Sequence, residues 1–180
     1  MHRCESCGFE YDLGMAEGSG ERLLAGVLEL NDVVRSLEEP AERPAPATWS
    51  PLEYLCHVRD VLLVQRERVL QARREDTPSF APMGRDERVA HDGYAEQDPE
   101  DVIRQAADAA SMFVNVLARL DPEDWERRVT YNFPTPMERS LRWVAVHTVH
   151  EVEHHLGDAR QTAAQRSAAE RSAAGQTPSP

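Results

Sequence analysis

The chain has 180 residues, 41% of them hydrophobic and 29% charged, which suits a single domain with a sizeable core. A net charge of −12 repels phosphate backbones and anionic lipid surfaces, so neither nucleic acid nor a membrane is expected as a partner. No apolar run approaches the length of a transmembrane helix, the N-terminus lacks the apolar stretch of a signal peptide, and three cysteines cannot build a disulfide framework, so the expected location is the cytoplasm.

Residues 1–17 read as a separate extension carrying Cys4-x-x-Cys7-Gly8-Phe9, and Gly18-Ser19-Gly20 divides them from the first periodic segment. From about Glu21 to Glu38, leucines and valines recur at helical spacing and predict a first helix, which Pro40, Pro44 and Pro46 terminate. Ser50-Pro51-Leu52-Glu53 has the form of a capping box with proline at the first helical position, and predicts a second helix to about Arg74. Residues 76–98 hold Pro78, Pro82, Gly84 and Gly93 and read as a long excursion with one short turn of helix near Asp86–Ala90. An excursion of that length in a small domain marks a functional wall or lid. Asp98-Pro99-Glu100-Asp101 opens a third helix to about Leu120, followed by the acidic turn Asp121–Trp125 and a brief strand pair within Val129–Pro136. A fourth helix is expected from near Pro136 to about Ala164, inside a bundle domain spanning 18–166, with a disordered tail over 167–180. The architecture predicted is all-α: a four-helix bundle with one long crossover.

Four of the seven histidines fall in one run, His147-Thr148-Val149-His150-Glu151-Val152-Glu153-His154-His155. His150 and His154 sit one helical turn apart, the spacing with which a helix offers two nitrogens to a metal. A third ligand must come from elsewhere, and His57 on the second helix is the candidate. Three neutral imidazoles with an open position make a catalytic zinc site. Asp60 and Asp158, near these histidines in sequence, are candidates to hold the ligand rings in orientation. His147 is expected beside the site without ligating, and His155, about 100° around the helix from His154, at the surface or an interface.

Trp49-Ser50-Pro51-Leu52-Glu53-Tyr54-Leu55-Cys56-His57-Val58-Arg59-Asp60 resembles the second helix of DinB-like proteins, and His150-Glu151-Val152-Glu153-His154-His155-Leu156-Gly157-Asp158 resembles their fourth. Phe80–Met83 and Leu120–Trp125 add to the likeness, which covers roughly residues 20–165. The resemblance implies a metal-binding four-helix bundle with zinc, or secondarily nickel, on His57, His150 and His154. Relatives include mycothiol-dependent maleylpyruvate isomerases and thiol S-transferases. In the isomerases the position matching His150 looks like a glutamate, which sets this chain nearer a three-histidine branch.

That likeness leads to an expected divalent-metal enzyme acting on a small electrophilic substrate: a thiol S-transferase or thiol-assisted isomerase with mycothiol as cosubstrate. All 20 basic residues are arginine, a mark of GC-rich coding that fits mycothiol indirectly. The alternatives are a metal-hydroxide hydrolase or cyclase, with Glu151 or Glu153 as base, and a non-catalytic metal-binding or sensor protein. Arg59, Arg66 and Arg142 are candidates to orient an anionic substrate, and residues 76–98 with Tyr131-Asn132-Phe133 to form the pocket rim. A homodimer is expected. Cys4 and Cys7 read as half of a structural zinc knuckle, to be completed from His2, His91, Cys56 or Asp12, or else as free thiols. Cys56 reads most simply as a small core residue.

Overall fold

A computed structural model of the chain describes residues 3–132 and 135–174. Four long helices carry the fold: α1 (Ser19–Arg35), α2 (Pro51–Arg74), α4 (Pro99–Leu117) and α6 (Leu141–Ala174), with two short ones, α3 (Arg85–His91) and α5 (Pro122–Trp125). Three short strands, β1 (Ser79–Phe80), β2 (Arg128–Tyr131) and β3 (Met137–Ser140), form a small sheet in the order β1-β2-β3. β1 runs parallel to β2, with Ser79 opposite Thr130, and β3 runs antiparallel to β2, with Val129 opposite Arg139.

Local chemistry sets most of the boundaries. The Ser50 side chain accepts from the Glu53 amide while the Glu53 carboxylate accepts from the Ser50 amide, so the capping box starts α2 as expected. The Asp98 and Asp121 side chains cap α4 and α5, each with proline at the first helical position. Two ends differ from expectation. Residues 137–140 pair with β2 as β3, so α6 starts at Leu141, where the Ser140 hydroxyl accepts the Trp143 N–H. Past Ala164, α6 continues to Ala174 through a segment rich in good helix formers. Of the expected tail, 175–180 lie outside the described residues, as do His2 and Phe133.

α2 packs most extensively on α4 and then α6, and α1 packs on α6 and α4, so the core lies along all four long helices. It is filled by Leu23, Leu30, Leu52, Leu55, Leu62, Phe113, Leu141 and Val149, all fully buried. Gly26 lets α1 approach α6 closely, since a Cβ there would stand 2.7 Å from Val152 Cγ1. No helix among the described residues is long and apolar enough to cross a membrane.

The 76–98 excursion folds back over α2 rather than hanging free. Asp60, 4% exposed, accepts hydrogen bonds from the Tyr94 hydroxyl (2.7 Å), Arg88 (3.0 Å) and Arg59 (2.9 Å). That buried carboxylate, satisfied by two cations and a phenol, fastens the crossover to the bundle. Near the N-terminus, Arg3 and Glu10 bridge the two arms of a small hairpin, and the turn between them uses Gly8 at φ 77°.

Candidate metal centre

His57 lies two turns into α2, 3% exposed, with the Trp49 ring edge-on against it at 5.4 Å between centroids. Across from it, α6 presents Glu151 and His155, one turn apart. The ligand atoms of His57, Glu151 and His155 lie within 4.8 Å of one another. A Glu151 oxygen stands 4.0 Å from His57 Nε2 and 3.7 Å from His155 Nε2. These separations are long for hydrogen bonds but close to the roughly 3.4 Å between neighbouring ligands around a tetrahedral ion with bonds of about 2.1 Å. The other nitrogen of His155 contacts Asp158 at 2.9 Å, which turns Nε2 toward the centre. Two imidazoles and a carboxylate therefore converge, with one ligand already held from behind.

The electrostatics follow from that crowding. Burial would raise the Glu151 pKa, but contacts with His150, His155 and His57 hold it well below the usual carboxylate range. Burial would lower that of His155, yet Asp158 and Glu151 raise it to about 9. Without a metal His155 thus carries a proton at neutral pH, which an incoming metal must displace. Desolvation lowers His57 and takes His147 down to about 4, so both rings stay neutral.

The cluster faces a cavity of about 340 Å³. One wall is formed by Val61, Val64 and Arg68 of α2, His147 of α6 and Tyr131 of β2, and the other by residues 82–87 of the crossover. The Arg68 guanidinium bonds the Tyr131 hydroxyl at 2.9 Å and lies over that ring at 4.9 Å.

Several expected residues stand elsewhere. His57 is not brought together with His150 and His154; those two meet Cys4 and Cys7, the ligand atoms of all four lying within 4.8 Å of one another. The reason is rotational. One residue along a helix is a step of about 100°, so α6 turns its Glu151–His155 edge to α2 and its His150–His154 edge to the N-terminal hairpin. His155, expected at the surface or an interface, stands in the centre for the same reason. Asp158 does hold a histidine in orientation, and its shortest such contact is to His155. Asp60 is taken up by Arg59, Arg88 and Tyr94 instead of His57, whose Nδ1 is buried without a hydrogen-bond partner.

Among the proposed arginines, Arg59 pairs with Asp60 and Asp92, Arg66 with Glu67, and Arg142 with Glu17 and Glu126. Arg68 and Arg85 line the cavity in their place. Arg68 was findable, since His57, Val61, Val64 and Arg68 follow one helical stripe. Of the expected rim, residues 82–87 of the crossover and Tyr131 line the cavity, whereas Asn132 bonds Ser79 and Phe80 instead.

Four helices around a partly buried histidine–glutamate cluster beside a cavity define a bundle with the donor set of a metal site. Residues 21–159 match the DinB superfamily, and the chain belongs to it. Among solved structures it is similar to YfiT from Bacillus subtilis, described as a probable metal-dependent hydrolase with an unusual four-helix bundle topology. The TM-score is 0.78 at 13% identity, over 93% of this chain and 94% of that one. It is also similar to the mycothiol-dependent maleylpyruvate isomerase, with a TM-score of 0.64 at 14% identity, over 82% of this chain and 60% of that one. At these identities the likeness is one of fold. No curated protein matches the chain in sequence.

Proposed function

We propose that His57, Glu151 and His155 hold a divalent metal, zinc first, and that the chain uses it to transfer a low-molecular-weight thiol to a small electrophilic substrate, or to isomerise that substrate with the thiol's help. The observation that carries this reading is the convergence of the three ligand atoms within 4.8 Å at the wall of the cavity. Three protein ligands leave a coordination position for a reactant. A divalent metal bound there lowers the pKa of a thiol or water and acts as a Lewis acid. Asp158 orients His155, and the buried His57 is kept neutral and able to ligate. Val61, Val64, Pro82 and Met83 give the cavity apolar lining, while Arg68, held on Tyr131, brings positive charge for an anionic group.

A second reading is a hydrolase with water in the open position, favoured by the end-to-end fold likeness to YfiT. The test is turnover of an electrophile panel by the zinc-loaded protein, with and without mycothiol. Thiol-dependent turnover that falls at least about 100-fold in His57→Ala is expected for a lost metal ligand. Thiol-independent turnover replaces the first reading with the second. No acceleration over the metal-free protein under either condition overturns both.

A further inference from the structure

We propose that Cys4, Cys7, His150 and His154 form a second metal site, a tetrahedral structural zinc that clips the N-terminal hairpin onto α6. The four ligand atoms lie within 4.8 Å of one another. Two thiols and two imidazoles are the donor set of a closed structural zinc site, and softness favours zinc over oxygen-seeking cations. The spacing agrees too: Cys-x-x-Cys on a tight turn, then His-x-x-x-His on one face of a helix.

The turn has the shape that such a site needs. The Cys4 amide bonds the Phe9 carbonyl and the Gly8 amide bonds the Cys4 carbonyl, both at 2.9 Å, while Gly8 adopts the left-handed φ that reverses the chain.

The histidines supply independent evidence. His150 is 8% exposed, and neither of its ring nitrogens has a hydrogen-bond partner; His154 Nδ1 is likewise buried and unpartnered. His150 Nδ1 does lie 3.2 Å from a Glu151 oxygen, but that contact lacks hydrogen-bonding geometry. Buried polar nitrogens without partners are costly, and a metal on the sulfur side satisfies one nitrogen of each ring. His154 Nε2, facing Asp158 at 3.5 Å, then has the carboxylate support usual for a metal-bound imidazole.

The hairpin also needs a clip. An isolated two-stranded hairpin is marginal in water. This one rests on aromatic contacts, with Phe9 and Tyr11 each 5.3 Å from the His150 ring, and on the Tyr11 hydroxyl 3.0 Å from His147 Nδ1. A metal joining residues 4 and 7 to 150 and 154 closes a loop of nearly the full chain, a constraint that stabilises against unfolding.

The test is metal content per chain in the full-length protein, with cobalt substitution and thiol protection as further readouts. Wild type is expected to hold two metals and Cys4→Ser/Cys7→Ser one. The cobalt-loaded wild type is expected to show thiolate-to-cobalt absorption in the near ultraviolet that the cysteine variant lacks. In the wild type, Cys4 and Cys7 should resist alkylation until a chelator is added, a readout independent of any variant's folding. The same metal content in wild type and the cysteine variant, no thiolate band, or alkylation unaffected by chelator would each overturn the proposal. His57→Ala separates the two sites: thiolate absorption that persists in it supports the cysteine site whatever happens to the other metal.

Discussion

The two edges of α6, His150–His154 and Glu151–His155, show how much a single residue step decides. His150 and His154 form the more conspicuous pair in the sequence, while Glu151 and His155 share the same four-residue spacing one place later. Either pair can ligate, and only the direction in which α6 faces α2 assigns Glu151 and His155 to His57. Asp158 is the residue whose role can be probed without deleting a ligand. Its carboxylate contacts His155 at 2.9 Å, and Asp158→Asn retains an acceptor but removes the charge that makes the imidazole a stronger ligand. The expected outcome is a metal affinity at the His57 site lower by about 10–100-fold, read by competition with a chromophoric chelator. Unchanged affinity would mean that Asp158 does not support His155 as a ligand. The cysteine pair was legible as half of the second site proposed above; the other half proposed for it stood in the histidine run already given another role.

Helix starts were the most legible elements because their signals are local. The box at Ser50–Glu53 is present as read, and Arg43 adds an ion pair to Glu53, 2.8 Å from Nε to Oε2. Burial would raise the Glu53 pKa, but Arg43 and the Ser50 amide hold it below its ordinary 4.5. A depressed carboxylate stabilises the fold above that ordinary value and loses the contribution as pH falls through the folded-state value. Glu53→Gln is therefore expected to destabilise by about 1–2 kcal/mol at neutral pH, with the difference from wild type shrinking below about pH 4.5 in denaturant melts. A pH-independent difference would point to shape alone. Gly26 marks a tertiary demand that helix propensity opposes: Gly26→Val should force α1 and α6 apart and cost about 1–3 kcal/mol, measured by urea unfolding. Stabilisation would mean that the helices yield freely there. The start of α6 escaped prediction because Met137–Ser140 is claimed by pairing with β2, a contact from outside the segment.

Both proposed metal sites join the second half of the chain to segments far away in sequence, His57 in one case and Cys4 and Cys7 in the other. Metal bound only by the folded state stabilises it by mass action. Free zinc at about 100 times the dissociation constant should raise the melting temperature by roughly 5–10 °C, read by calorimetry in zinc buffers. A melting temperature independent of zinc would count against both sites.

The bundle itself followed from the chain's own patterns: apolar periodicity defines a helix wherever it occurs, and Ser50, Asp98 and Asp121 act on amides three residues away. The residues with metal chemistry were likewise visible as types, and the crossover could be read as a wall because no other periodic use of 76–98 competed. The partners of those residues were not visible. Which edge of α6 faces α2, and that the hairpin folds onto the other edge, both depend on helix rotation and packing. Those are fixed by the summed burial of the whole core, and no short stretch of sequence encodes them.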